Sequence, residues 1–245
     1  MQSSHPLRVT LAQLRVERTM AQNREKLLSV LQSAHPGDWV AFPEGLLTGY
    51  FPEEDDYLRS MQPEMVDRTI REIGQQVQRL QCYCLFGSAT FTNGAWHNSV
   101  ILQGAVGETY IYHKIELSNL DKRHFTPGDT LSVQSLNGIT VGIQACRELL
   151  FPESWALLRK RGAQLIFHIN NAVKPHDKVW EHVLISRAVE NVCFVCSVNN
   201  AASPQELTSY LIDPSGKVLL EAGKQVEQIL TCEIDLEEAN RATIY

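Results

Sequence analysis

Apolar and polar residues alternate through Leu7–Leu14, LRVTLAQL, the period of a half-buried strand. The period then lengthens. Leu27, Val30, Leu31 and Ala34 recur at i, i+3, i+4 and i+7, predicting a helix that stops before Pro36-Gly37-Asp38. Trp39–Phe42 is a short apolar strand running into Pro43-Glu44-Gly45. A second helix begins near Pro63, with Val66, Ile70, Ile73, Val77 and Leu80 on one stripe and Arg68, Arg71, Glu72 and Gln75 on a solvated face. Strands follow at Cys82–Phe91, Ser99–Gln103 and Glu108–His113, punctuated by Asn93-Gly94 and by Gly104 and Gly107.

A looser segment, 114–129, leads to Leu131–Leu136, the Asn137-Gly138 turn and an apolar run read as the central strand. In that run Val141, Ile143 and Ala145 lie on one side and Gly142, Gln144 and Cys146 on the other. The helix Pro152–Arg161, the strand Gln164–Asn170, the helix Asp177–Val192 and the strand Cys193–Asn199 come next. Last are Thr208–Asp213, Lys217–Glu221 and Gln228–Ile234. Hairpins interrupt the alternation of strand and helix, so the pattern predicts sheets stacked face to face with helices outside, not a Rossmann sheet.

Composition narrows the classes. The 245 residues carry no linker, charge block or low-complexity tract, so one domain over 1–245 is expected, and 44% hydrophobic residues are ample for a core. The net charge of -6 is spread along the chain, which lacks the basic stripe of a nucleic-acid binder. No run approaches the ~18 apolar residues needed to span a bilayer. The start, MQSSHPLRVTLAQL, has no cationic segment followed by a long apolar one, so a soluble cytoplasmic protein is expected. Neither GxGxxG nor a P-loop lysine motif occurs, which argues against a nucleotide cofactor. Of the six cysteines, Cys193 and Cys196 would point to opposite faces of a strand, and Cys82 and Cys84 share one face as core fillers. No zinc spacing or disulfide framework results.

Three reactive side chains close apolar strands: Glu44 in AFPEGLLTGY, Lys114 in YIYHKIEL and Cys146 in VGIQACRELLFPE. Each alone is also an ordinary structural residue, a loop carboxylate, a strand-end charge and a small buried hydrophobe. Together they suit covalent catalysis. A thiol with free pKa near ~8.5 needs a base, a carboxylate can supply one, and an ammonium can hold an oxyanion. Strand, sharp turn and helix would set the thiol beside main-chain N–H groups that no helix bond satisfies.

These stretches, with FTPGD (125–129), RGAQLIF (161–167) and SRAVEN (186–191), resemble the nitrilase or carbon-nitrogen hydrolase superfamily. The resemblance covers most of the chain. It implies an α+β (αββα) fold, a four-layer sandwich of two mixed β-sheets flanked by helices, and a Cys-Glu-Lys site free of metal and cofactor. It also implies roles. Glu44 would be the general base, Cys146 the nucleophile that forms a thioester, and Lys114 with the Arg147 N–H the holder of the oxyanion. A further family glutamate falls at Asp121, one methylene shorter, with Glu116 as an alternative occupant. Glu148 would support the nucleophile turn, and Arg187 with Glu190 would form a buried buttress.

On the same grounds the substrate is expected to be a small-molecule amide. Cys146-Arg147-Glu148 replaces the Cys-Trp-Glu of true nitrilases. Leu150 stands where omega-amidases often carry an arginine for a substrate carboxylate, so a dicarboxylic monoamide is less favoured unless Arg147 or His168 substitutes, and a neutral or weakly polar acyl group is expected. Carbamoyl-amino acids and nitriles remain alternatives, as do a catalytically silenced binding module and a papain-like hydrolase using His168 or His182 as base. The resemblance further implies a homodimer built around the helix after Cys146, without an exchanged C-terminal arm beyond Tyr245.

Overall fold

The computed structural model describes residues 6–172, 177–203 and 205–241, so the C-terminal end at Tyr245, like the first five residues, lies outside the described residues. The first half runs β1 (Leu7–Gln13), α1 (Met20–Leu31), β2 (Trp39–Ala41), α2 (Pro63–Leu80), β3 (Tyr83–Thr92), β4 (Ala95–Gln103) and β5 (Thr109–His113). The second runs β6 (Val133–Leu136), β7 (Ile139–Ala145), α3 (Pro152–Lys160), β8 (Leu165–Ile169), α4 (Asp177–Asn191) and β9 (Phe194–Val198). It ends with β10 (Tyr210–Ile212), β11 (Val218–Glu221), β12 (Gln228–Ile234) and a short α5 (Glu238–Arg241) that the sequence pattern missed.

Two six-stranded sheets result, ordered β12-β1-β2-β3-β4-β5 and β11-β10-β9-β8-β7-β6. Each is mixed. Parallel triplets, β1-β2-β3 and β7-β8-β9, are extended by antiparallel neighbours on both sides. The alternation read from the sequence sorts the side chains into layers. Val9, Leu11, Trp39 and Leu85 of one sheet meet Val141, Ile143, Phe167 and Val198 of the other. Trp39 stacks on Tyr83 at 4.3 Å and on Phe167 of the facing sheet at 5.6 Å. The outer faces are covered by Leu27, Leu31, Val66, Ile73 and Val77 of α1 and α2, and by Trp155, Leu158, Leu184 and Ala188 of α3 and α4. This is the αββα sandwich, and α1 and α2 are held by the apolar stripes that predicted them.

Three expectations need correction. The strand β7 is second from the edge of its sheet, beside β6, not central. It read as central because both its faces are covered: Leu158 of α3 comes so close that a Cβ on Gly142 would lie 3.1 Å from Leu158 Cδ1. Ala34 lies past α1, which ends at Leu31. Glu190 is not buried: its side chain is 45% exposed. The faces read for four cysteines hold, with Cys193 in the outer layer, Cys196 between the sheets, and Cys82 and Cys84 together under α2. Among the described residues no helix is long and apolar enough to cross a membrane.

Candidate active site

Glu44 lies in the turn that follows β2, Lys114 directly follows β5, and Cys146 directly follows β7. The Glu44 turn is pressed against β3. Phe42 N–H donates to Leu85 O at 2.8 Å, Gly87 N–H to Pro43 O at 3.1 Å and Leu47 N–H to Gly87 O at 2.9 Å. A Cβ on Gly87 would come within 2.1 Å of Gly45 N and 2.6 Å of Glu44 Cα, so only glycine allows this approach. FTPGD does the same for Lys114. Gly128 N–H donates to Lys114 O at 2.9 Å, and its Cα packs on the carbonyl of His113.

Lys114, buried, donates from Nζ to Glu44 Oε1 at 2.8 Å and to Asp121 Oδ2 at 2.9 Å. Burial opposes its charge, but the Glu44 and Asp121 carboxylates outweigh that and hold the ammonium well above its usual range. Glu44, also buried, accepts from Asn98 Nδ2 at 2.8 Å on Oε1 and from Asn171 N–H at 3.0 Å on Oε2. Asp121 begins a single 3₁₀ turn, Asp121–Arg123, which carries its shorter side chain inward to Lys114. There it also accepts from the Tyr50 hydroxyl at 2.6 Å, from Asn98 Nδ2 at 3.3 Å and from Ser118 N–H at 3.0 Å. Burial pushes the Asp121 carboxyl up, and Lys114 more than reverses this, leaving it below the usual range. Glu116 does not take this position. It is half-buried, and its main-chain N–H donates to Glu148.

Cys146 has φ of 46°, left-handed backbone on a residue with a Cβ, at the start of the 3₁₀ turn Cys146–Leu150. Its half-buried thiol is within electrostatic reach of Glu44, Lys114 and Asp121. Burial, and then the Glu44 charge, push the thiol well up, while Lys114 and the Asn171 N–H act the other way. At rest the sulfur therefore carries its proton.

Buried polar groups hold this turn. Glu148 Oε1 accepts from the Tyr112 hydroxyl at 2.6 Å, Ile115 N–H at 2.7 Å and Glu116 N–H at 3.2 Å, and Oε2 accepts from Ala145 N–H at 2.7 Å. Arg187 donates from Nε and Nη2 to Leu149 O at 3.1 and 3.0 Å. It braces the turn through a carbonyl, while its ion pair with Glu190 sits at the surface. His168 Nε2 is 2.8 Å from Cys146 O and must donate to it, so Nδ1, beside Ser197 Oγ and Asn170 Nδ2, is the acceptor. Burial lowers its pKa to about 4, and it is neutral above that. His168 therefore neither grips a carboxylate nor meets the thiol as a base, and His182 is exposed on α4. Arg147 is exposed as well, its guanidinium 5.6 Å from the centre of the Phe151 ring, and Leu150 is 49% exposed.

Sequence reasoning missed Tyr50, Asn98 and Asn171. Tyr50 closes the FPEGLLTGY stretch, which was a signal. Asn98 and Asn171 carried none, because a single amide in a strand or loop has no distinguishing spacing.

Two mixed sheets with a carboxylate, a lysine and a thiol converging from three strand ends define a class, and comparison assigns it. The family model for carbon-nitrogen hydrolase matches residues 8–243, and the chain belongs to that family. It is similar to an (R)-stereoselective amidase of Pseudomonas sp, 26% identical over 90% of this chain and 82% of that one. It is also similar to a nitrilase of Pyrococcus abyssi, 28% identical over 80% and 76%. In fold it matches an amidase from Nesterenkonia sp. with a TM-score of 0.84, at 22% identity, over 98% of this chain and 94% of that one.

Proposed function

We propose that this carbon-nitrogen hydrolase cleaves small amides through a Cys146 thioester. Glu44 Oε takes the thiol proton as sulfur attacks the carbonyl carbon, and the oxyanion that forms is held by Lys114 Nζ and the Arg147 N–H. The C–N bond breaks as Glu44 returns the proton to nitrogen, and ammonia or an amine leaves. Water, deprotonated by Glu44, then attacks the thioester carbon, the C–S bond breaks to release the acid, and Glu44 returns the proton to the Cys146 sulfur. The observation that carries this reading is the buried Glu44–Lys114–Asp121 cluster beside a thiol that is protonated at rest. An imidazole base is not part of it, since the buried His168 is engaged by the Cys146 carbonyl.

An acyl group without a carboxylate suits the surroundings, because Leu150 offers no cation and His168 is buried and neutral. Intact-mass spectrometry after mixing with a panel of amides should show an acyl adduct on Cys146 that water removes. Glu44→Gln should lower turnover by roughly 100-fold or more. Full activity of that variant, or a panel in which only nitriles or carboxylate-bearing amides react, overturns the reading.

A further inference from the structure

The main-chain N–H of Asn171 meets the base of the proposed proton transfer and lies near the thiol. It donates to Glu44 Oε2 at 3.0 Å, and its smaller influence on the Cys146 thiol is in the direction that lowers the thiol pKa. No sheet ladder sets its direction. The strand β8 ends at Ile169, and after Asn170 N–H donates to Val198 O at 2.7 Å the chain leaves the sheet.

The carbonyl side of the Asn170–Asn171 peptide is held by Glu44 N–H, which donates to Asn170 O at 3.3 Å, and the Asn171 side is held by a set of buried carboxamides from the loop after β9. Asn171 Oδ1 accepts from Asn200 Nδ2 and from Gln205 Nε2, both at 2.8 Å. The next N–H, of Ala172, donates to Asn199 Oδ1 at 3.0 Å. The loop amides are fixed in turn. Asn199 Nδ2 donates to Leu207 O at 2.5 Å and to Gln205 Oε1 at 3.3 Å, and Asn200 Oδ1 accepts from Val16 N–H at 3.1 Å and Ala202 N–H at 2.9 Å. Asn199, Asn200 and Gln205 are all buried. Apolar side chains could fill this space, but they could not dictate the orientation of a peptide plane; directional, mutually satisfied amides can.

We propose that Asn171, Asn200 and Gln205 are positioning residues for the reaction. Through the Asn171 N–H, the loop after β9 sets how readily Cys146 gives its proton to Glu44. This rests on the Cys146–Glu44 chemistry proposed above. The groups that face the sulfur are Glu44, Lys114 and Asp121, with the Tyr50 hydroxyl, and none of them belongs to the loop after β9.

The test compares Asn171→Ala and Gln205→Met with the unaltered protein. Alkylation of Cys146 by iodoacetamide is followed across pH on the Cys146 peptide, so that the half-exposed Cys232 does not contribute. Steady-state turnover of an amide and thermal unfolding are measured beside it. Both variants should slow Cys146 alkylation at each pH by roughly tenfold and lower kcat by roughly tenfold, with KM within about twofold. Gln205→Met should unfold within a few degrees of the unaltered protein. Alkylation profiles that superimpose overturn the proposal. So does a kcat that does not fall, or one that falls only in step with loss of folded protein in both variants. Alkylation needs no substrate: if the unaltered protein turns over no amide the functional reading fails, and the profiles still decide this one.

Discussion

Glu44 leaves β2 on a turn shaped by glycines and main-chain bonds, whereas Cys146 leaves β7 on a turn held by buried side chains. In the first, Gly45 and Gly49 have φ of 65° and 81°, and Gly87 lets β3 touch the turn. In the second, the left-handed residue is the cysteine itself, and Glu148, Arg187 and His168 converge from α4, β8 and the turn to hold it. The first device is steric and needs space. The second is electrostatic and needs every partner, because a buried donor left without an acceptor costs more than the bond returned. The two turns should therefore fail differently.

The largest effect is expected at the first. Gly87→Ala forces a Cβ into the main chain at Gly45 and Glu44, and neither can yield as a side chain end could. A loss of roughly 3 kcal/mol, lowering the thermal midpoint by about 6–12 °C, should accompany loss of turnover in the fraction still folded. A variant with the original melting point and rate would show the packing to be looser than described. At the second turn, Glu148→Gln keeps the shape but replaces an acceptor with an N–H donor, stranding Ala145 N–H or the Tyr112 and Ile115 donors. Chemical denaturation should register about 2–3 kcal/mol. A change under 0.5 kcal/mol would mean that these bonds are interchangeable with water.

The smallest effect is the acid response of His168. Its folded pKa of about 4 lies below the ~6.5 of an unfolded histidine, so its contribution to stability is complete above pH 6.5 and is lost as pH falls toward 4. Between pH 8 and 5.5 this group should account for about 1.4 kcal/mol. His168→Gln, which can still donate to Cys146 O, should flatten the stability curve over that interval. Parallel curves for the two proteins would mean that His168 does not stay neutral.

The same contrast explains what could be read in advance. Layers were legible because Val9, Leu11, Val141 and Ile143 alternate with residues that meet the helices, and the helices carry their stripes at i, i+3 and i+4. Glu44, Lys114 and Cys146 were legible as charge or sulfur at the end of apolar strands. Asp121 could be placed on its motif, but not seen to reach Lys114, because that depends on a single 3₁₀ turn with no apolar period of its own. The carboxamides 199–205 were invisible for a related reason: amides in a loop look solvated until the loop is folded over them. Glu190 misled because a spacing of three fixes which residues are neighbours, not which side of the helix faces water.

The two sheets meet at Trp39, wedged between Tyr83 of its own layer and Phe167 of the other. Glu44 belongs to the first layer and Cys146 to the second, so chemistry that needs both gauges the seam between them. Warming that let one layer slide by a fraction of a residue would leave every ladder paired and the far-ultraviolet spectrum almost untouched. Thermal inactivation would then run ahead of melting.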